Sequence, residues 1–198
     1  MKKLIPILCF FIFSNIISAQ NFKGGIIGGI STSQVSGDNL AGYNKAGFFI
    51  GVFTEIPISS IINMKMEMNF IQKGSKNPKM NQNTIPDIST SYLEIPLSVN
   101  YHQNDLLNFE TGLQVAFLLT ANDNDIYGSV SSEINNPFNK TDIGAFIGMY
   151  YHLTEKISLN SRMSNSIFPI RGYNTELNYL FYKGQYNTVL SFTIHYKI

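Results

Sequence analysis

The chain has 198 residues with 14 Lys plus Arg against 13 Asp plus Glu, a balance without the clustered basic face that a nucleic-acid partner needs. Its single cysteine, Cys9, allows no disulfide framework, and no Cys/His spacing resembles a zinc site. The length suits one domain.

The first element is a targeting segment. Met1-Lys2-Lys3, the mostly apolar stretch Leu4 to Ile17 and the small pair Ser18-Ala19 before Gln20 follow the order of a secretory signal peptide, residues 1–19, with cleavage expected after Ala19. A membrane anchor is the alternative, but about 14 residues fall short of the ~20 a spanning helix requires. A lipoprotein reading of Cys9 leaves only Leu4 to Leu8 as its apolar region. Cleavage would leave residues 20–198 as a cysteine-free, nearly neutral domain.

Beyond Gln20 no apolar run reaches the ~18 residues of a transmembrane helix. Period-two alternation takes its place and predicts eight strands: 22–33, 45–57, 61–72, 91–102, 107–119, 142–153, 156–167 and 186–198. In the third, Ile62, Met64, Met66, Met68 and Phe70 alternate with Asn63, Lys65, Glu67 and Asn69, which puts five apolar side chains on one face. The fourth alternates Leu93, Ile95, Leu97, Val99 and Tyr101 with polar residues, and the eighth does the same with Leu190, Phe192, Ile194, Tyr196 and Ile198. The seventh is weakest. Its Ile157, Leu159 and Met163 share a face with Ser161 and Asn165, which points to a shifted register or to a face covered by a neighbouring protein.

The gaps between strands alternate in length. Residues 34–44, 73–90, 120–141 and 168–185 are long, while 58–60, 103–106 and 154–155 are short. Outer-membrane barrels sort their connections this way, with short periplasmic turns and longer extracellular loops. The long loops are rich in Asn, Ser, Gly and Asp, as in Gly37-Asp38-Asn39 and Asn122-Asp123-Asn124-Asp125. The fold class expected is therefore all-β: a closed, eight-stranded, antiparallel up-and-down transmembrane barrel in the bacterial outer membrane, with both termini periplasmic.

In such a barrel the apolar face meets lipid. Phe22, Tyr101, Phe109, Tyr151 and Tyr196 then fall at the periplasmic end and Phe48, Phe70, Phe117 and Tyr186 at the other, as two aromatic girdles. The opposite face carries Lys23, Glu55, Lys65, Glu67, Glu94, Glu110, His152, Arg162, His195 and Lys197. Eight strands enclose a lumen only wide enough to be filled by side chains. These charges are expected to pair across it.

The segment Tyr92-Leu93-Glu94-Ile95-Pro96-Leu97-Ser98-Val99-Asn100-Tyr101 resembles the fourth-strand hallmark of the PorT-like outer-membrane β-barrel family, within the broader group of small OmpX-like barrels. Gly47-Phe48-Phe49-Ile50-Gly51 with Glu55, Phe109-Glu110-Thr111-Gly112-Leu113 and Asp142-Ile143-Gly144-Ala145-Phe146-Ile147-Gly148 follow its general run. The resemblance implies a single eight-stranded outer-membrane barrel. One founding member is associated with protein secretion, a role that does not transfer across so loose a family. The chain departs from the pattern at Ile198, where outer-membrane barrels usually end on an aromatic residue, and at Asn100, a position often basic in the family.

Several residues invite sharper chemistry. Pro96, inward-facing and mid-strand, reads either as a bulge that re-aims Glu94 or as a device for barrel curvature. His102, His152 and His195 share inward parity near the periplasmic end and could hold a metal, but their strands are not adjacent, and solvated rim histidines are the expectation. Glu55, Glu67, Glu94 and Glu110 could include a general acid/base pair, although a lumen-filling charge network with Lys65 and Arg162 explains them more simply. A lipid-modifying enzyme needs a serine beside a histidine, and the histidines lie at the wrong end; neither a Gly-x-Ser-x-Gly elbow nor a phosphate loop is present. The expectation is thus a non-enzymatic barrel with no catalytic, cofactor or metal residues. Its partners are outer-membrane lipid and a protein met through loops 73–90 and 120–141, with porin-like transport as the alternative.

Overall fold

The computed structural model describes residues 22–38, 42–77, 87–125, 128–130, 137–172 and 184–198. The expected signal peptide lies outside them. Eight strands make the barrel: β1 (Lys23–Ser36), β2 (Lys45–Pro57), β3 (Ile62–Ser75), β4 (Asp87–His102), β5 (Leu107–Asp125), β6 (Thr141–His152), β7 (Ile157–Ser166) and β8 (Gly184–Lys197). Each pairs antiparallel with the next, and β8 closes on β1 from Gly25↔Lys197 to Ser36↔Tyr186. Closure leaves no strand edge unpaired within the barrel, as a bilayer requires. Two short pieces extend the ladder: Gly128–Val130 folds back on the end of β5, and Arg171–Gly172 pairs with the start of β8. No helix among the described residues is long and apolar enough to cross a membrane; the chain crosses with strands.

The eight strands occur where alternation predicts them, but several run further at the loop end. β3 continues to Ser75, β4 starts at Asp87 and β5 reaches Asp125. Their extensions pair through polar residues, as in Asp87↔Asn124 and Gly74↔Ser89. Backbone groups gain by pairing whether or not the side chains alternate in polarity, so the ladder outlasts the apolar pattern. Residues 78–86, 126–127 and 131–136 of the expected partner loops lie outside the described residues.

The three short turns share one construction. In each, two successive amides donate to the same carbonyl: Ile58 and Ser59 to Ile62, Gln103 and Asn104 to Leu107, Leu153 and Thr154 to Ile157. A short polar side chain at the second position then accepts from amides further on. Ser59 takes Ile61, Asn104 takes Leu106 and Leu107, and Thr154 takes Lys156 and Ile157. Such side-chain turns explain why four residues suffice to reverse the chain at each.

Face assignment follows parity as expected. Phe48, Ile50 and Val52 on β2, Met64, Met66 and Met68 on β3, Leu97, Val99 and Tyr101 on β4, and Ile143, Ile147 and Met149 on β6 are all exposed outward. The charged set points inward and is buried except at the periplasmic rim, where His152 and Lys197 are half-buried and Lys23 is exposed. The strand β7 keeps a regular register with both neighbours, from Gly144↔Ser166 to His152↔Ser158 on one side and Thr188↔Asn165 to Tyr196↔Ile157 on the other. The shifted register is not found, and Ser161 and Asn165 do face the membrane side. Pro96 makes no bulge either. The β3–β4 ladder skips Glu67–Pro96 and Met68–Ile95 yet resumes in the same register, because proline only removes a donor. The register shift lies instead between β4 and β5, at Ser91/Tyr92.

Candidate functional site

The lumen is the candidate site, and β3 supplies its backbone of charge. Lys65, Glu67, Asn69 and Lys73 project inward from one strand face, successive inward positions being about 6.6–6.8 Å apart. They meet partners from neighbouring strands and from across the lumen at three levels.

At the middle level Arg162 of β7 spans the barrel. Its Nη1 and Nη2 donate to Glu67 Oε2 and Oε1 at 2.9 and 2.8 Å, while Nε and Nη2 donate to Glu110 Oε1 and Oε2 at 2.8 and 2.9 Å. The guanidinium also lies over the Phe146 ring, 4.3 Å from its centroid. Asn69 Nδ2 and Asn160 Nδ2 donate to Glu67 and Glu110 at 2.8 and 2.7 Å. One cation thus serves two carboxylates through paired, charge-assisted bonds, the geometry for which a planar guanidinium is suited.

Above it, Lys73 bonds Glu94 and lies 3.6 Å from Asp142 Oδ2. Gln114 Nε2 donates to Glu94 at 3.1 Å, and Asn187 Nδ2 to Asp142 at 3.0 Å. Below, Glu55 meets Lys65 at 3.7 Å and Lys197 at 2.9 Å, with the Lys65 ammonium over the rings of Tyr150 and Phe53. Expectation had Glu55, Lys65, Glu67, Glu94, Glu110, Arg162 and Lys197 in this network. It missed Lys73 and Asp142, and the five aromatics Phe49, Phe53, Tyr92, Phe146 and Tyr150 that fill the lumen between the charges.

The two mouths differ. At the periplasmic end His102, His152 and His195 border one recess of about 20 Å³, room for a single water. His152 Nε2 accepts from Asn108 Nδ2 at 2.6 Å, which leaves Nδ1–H to donate to Ser158 Oγ, also at 2.6 Å, and His195 Nε2 lies 3.0 Å from Thr193 Oγ1. No group of three metal-ligating side chains occurs among the described residues. At the extracellular end an apolar cap closes the lumen. Phe138 and Ile170, from two different long connections, bury against Val35 and Ile88. Asn139 locks the two segments, its amide donating to Ile170 O and its Nδ2 to Pro169 O, each at 2.7 Å.

A closed eight-stranded barrel with an apolar outer belt, aromatic girdles and an ion-paired interior is a bacterial outer-membrane protein. The chain belongs to the outer membrane protein beta-barrel domain family, which matches residues 18–172. Solved structures agree in fold. Ail, the attachment invasion locus protein of Yersinia pestis, is 12% identical, covering 89% of this chain and 98% of its own at a TM-score of 0.53. Neisserial surface protein A is 14% identical, covering 89% and 97% at the same score. Ail in complex with the heparin analogue sucrose octasulfate is 9% identical, covering 89% and 99% at 0.51. No curated protein matches the sequence.

Proposed function

We propose that this barrel is a non-conducting, non-enzymatic surface protein whose extracellular loops bind a partner. The observation that carries the reading is the filled lumen: two cations, Arg162 and Lys73, each tie two carboxylates from different strands, Arg162 reaching across from β7 to Glu67 on β3, and Phe138 and Ile170 cap the column. Opening a path would require breaking buried ion pairs, which costs several kcal/mol for each partner left uncompensated. The barrel then serves as a rigid mount, and loops on a rigid scaffold are where recognition concentrates. Loops 73–90 and 120–141 are the proposed binding elements, and their strand-paired bases raise them above the apolar belt. Ail, of the same fold, has been solved with a heparin analogue, which supports ligand capture by a barrel of this shape. Planar-bilayer recordings of the purified barrel test the proposal: the membrane is expected to stay silent, and stable unitary channels would replace this reading with transport.

A further inference from the structure

The outer wall carries a groove where the wall should be smooth. It measures about 460 Å³ and runs over β6, β7, β8 and β1, bounded by Ile30, Met149, Tyr151, Leu159, Phe192 and Ile194. Two small residues make it. Gly28 has nothing within 4 Å of where a Cβ would stand, and Ser161 lies between Met149 and Phe192 in the ladder. This is the polar interruption that makes β7 look weak in sequence.

The groove has a definite depth. Tyr196, at the periplasmic girdle, lies four residues below Phe192 on β8, about 13 Å along the strand. That is within the ~15 Å of one leaflet, half of a ~30 Å hydrocarbon core. The rim beneath it is charged. Lys23 begins β1, Lys197 ends β8 and Lys156 precedes β7, so three adjacent strands each bring a lysine to the rim, and Glu155 stands beside Lys156. Lys197 is engaged with Glu55. Lys23 and Lys156 are exposed, the latter 6.0 Å above the Tyr196 ring. The other two tight turns, Ile58-Ser59-Ser60-Ile61 and Gln103-Asn104-Asp105-Leu106, carry no cation.

We infer that this seam is a binding site for one glycerophospholipid of the periplasmic leaflet, with an acyl chain along the groove and the phosphate met by Lys156, whose ammonium lies over the outward Tyr196 ring. Glu155 supplies a carboxylate for an ammonium, so a phosphoethanolamine headgroup matches the rim better than a purely anionic one. A groove of this volume falls in the range of ligand clefts, and its apolar walls favour a hydrocarbon chain over polar occupants.

Native mass spectrometry of the barrel extracted in mild detergent, with phosphatidylethanolamine as the added lipid, tests the site. The wild type is expected to hold one lipid through gas-phase activation that strips the rest. Gly28→Leu fills open space on the outer wall without a clash, and is expected to cut retention at least tenfold while the unheated gel band remains folded. Lys156→Glu is expected to lower retention through the headgroup, and Val99→Leu, on β4 away from the seam, is expected to leave it unchanged. Equal retention by the wild type and Gly28→Leu overturns the site. So does a cross-linked dimer of the wild type that Gly28→Leu abolishes, since the groove would then belong to a second copy.

Discussion

Arg162 concentrates the energetics of the lumen in one side chain. Four hydrogen bonds bind it to Glu67 and Glu110, and all three groups are almost wholly buried. Arg162→Leu leaves two carboxylates without their cation, and a broken buried pair costs about 3–5 kcal/mol. Its urea midpoint in lipid vesicles, followed by the mobility of unheated gel bands, is expected to fall well below that of the wild type. The triple variant Arg162→Met with Glu67→Gln and Glu110→Gln is expected to recover most of the loss, because no charge is left uncompensated. An Arg162→Leu barrel as resistant as the wild type would show that the clamp contributes nothing. Inward parity made Arg162, Glu67 and Glu110 readable from sequence, but not who pairs with whom, since residues 95 positions apart meet only after closure. Lys73 and Asp142 stood at the strand ends, where alternation fades. Lys73 does continue the odd-numbered series of Lys65, Glu67 and Asn69, so parity carried one residue past the expected boundary at 72 would have found it.

At the scale of the strand, the lumen is packed by pairing small with large. Directly across the ladder, Gly25 faces Phe53, Gly29 faces Phe49, Gly51 faces Asn69, Gly112 faces Phe146 and Gly148 faces Glu110. An eight-stranded interior has little room for two bulky neighbours, so these large inward side chains each lie over a glycine, while Tyr150 lies between Asn108 and Asn160. A Cβ on Gly112 would press on the Leu97 carbonyl oxygen and stand 2.6 Å from the Phe146 ring, and one on Gly148 would stand 2.5 Å from Glu110 Oε1. Gly112→Ala is therefore expected to cost about 1–3 kcal/mol by overpacking. Phe146→Leu should relieve part of the clash, making the double variant less destabilised than the sum of the singles by more than about 0.5 kcal/mol. Strict additivity in the same urea assay would refute the pairing. The strands themselves were legible because the outer face alternates with little interruption. The lumen aromatics were not, since Phe49 and Phe53 look like members of an apolar run with Phe48, Ile50 and Val52, and only the register shows that they fill space left by β1 glycines.

For the molecule as a whole, the asymmetry of its two ends sets its orientation. The described termini at Phe22 and Ile198 and all three tight turns gather at one end, and the longer connections, with the Phe138–Ile170 cap, gather at the other. Outer-membrane barrels place short turns in the periplasm, so the cap faces outward and the seam beneath Gly28 lies in the periplasmic leaflet. Cleavage after Ala19 would remove Cys9 and leave the mature chain without a thiol, so single cysteines can report each end. Lys140 is exposed beside the cap and contributes only its carbonyl, to the Leu118 amide; Asp105 is exposed in the turn between β4 and β5. In intact cells Lys140→Cys is expected to react with a membrane-impermeant maleimide, and Asp105→Cys only after the outer membrane is permeabilised. The reverse pattern would turn the barrel over, moving the cap to the periplasm and the lipid seam to the outer leaflet, where a phosphoethanolamine lipid of the periplasmic leaflet could not reach it.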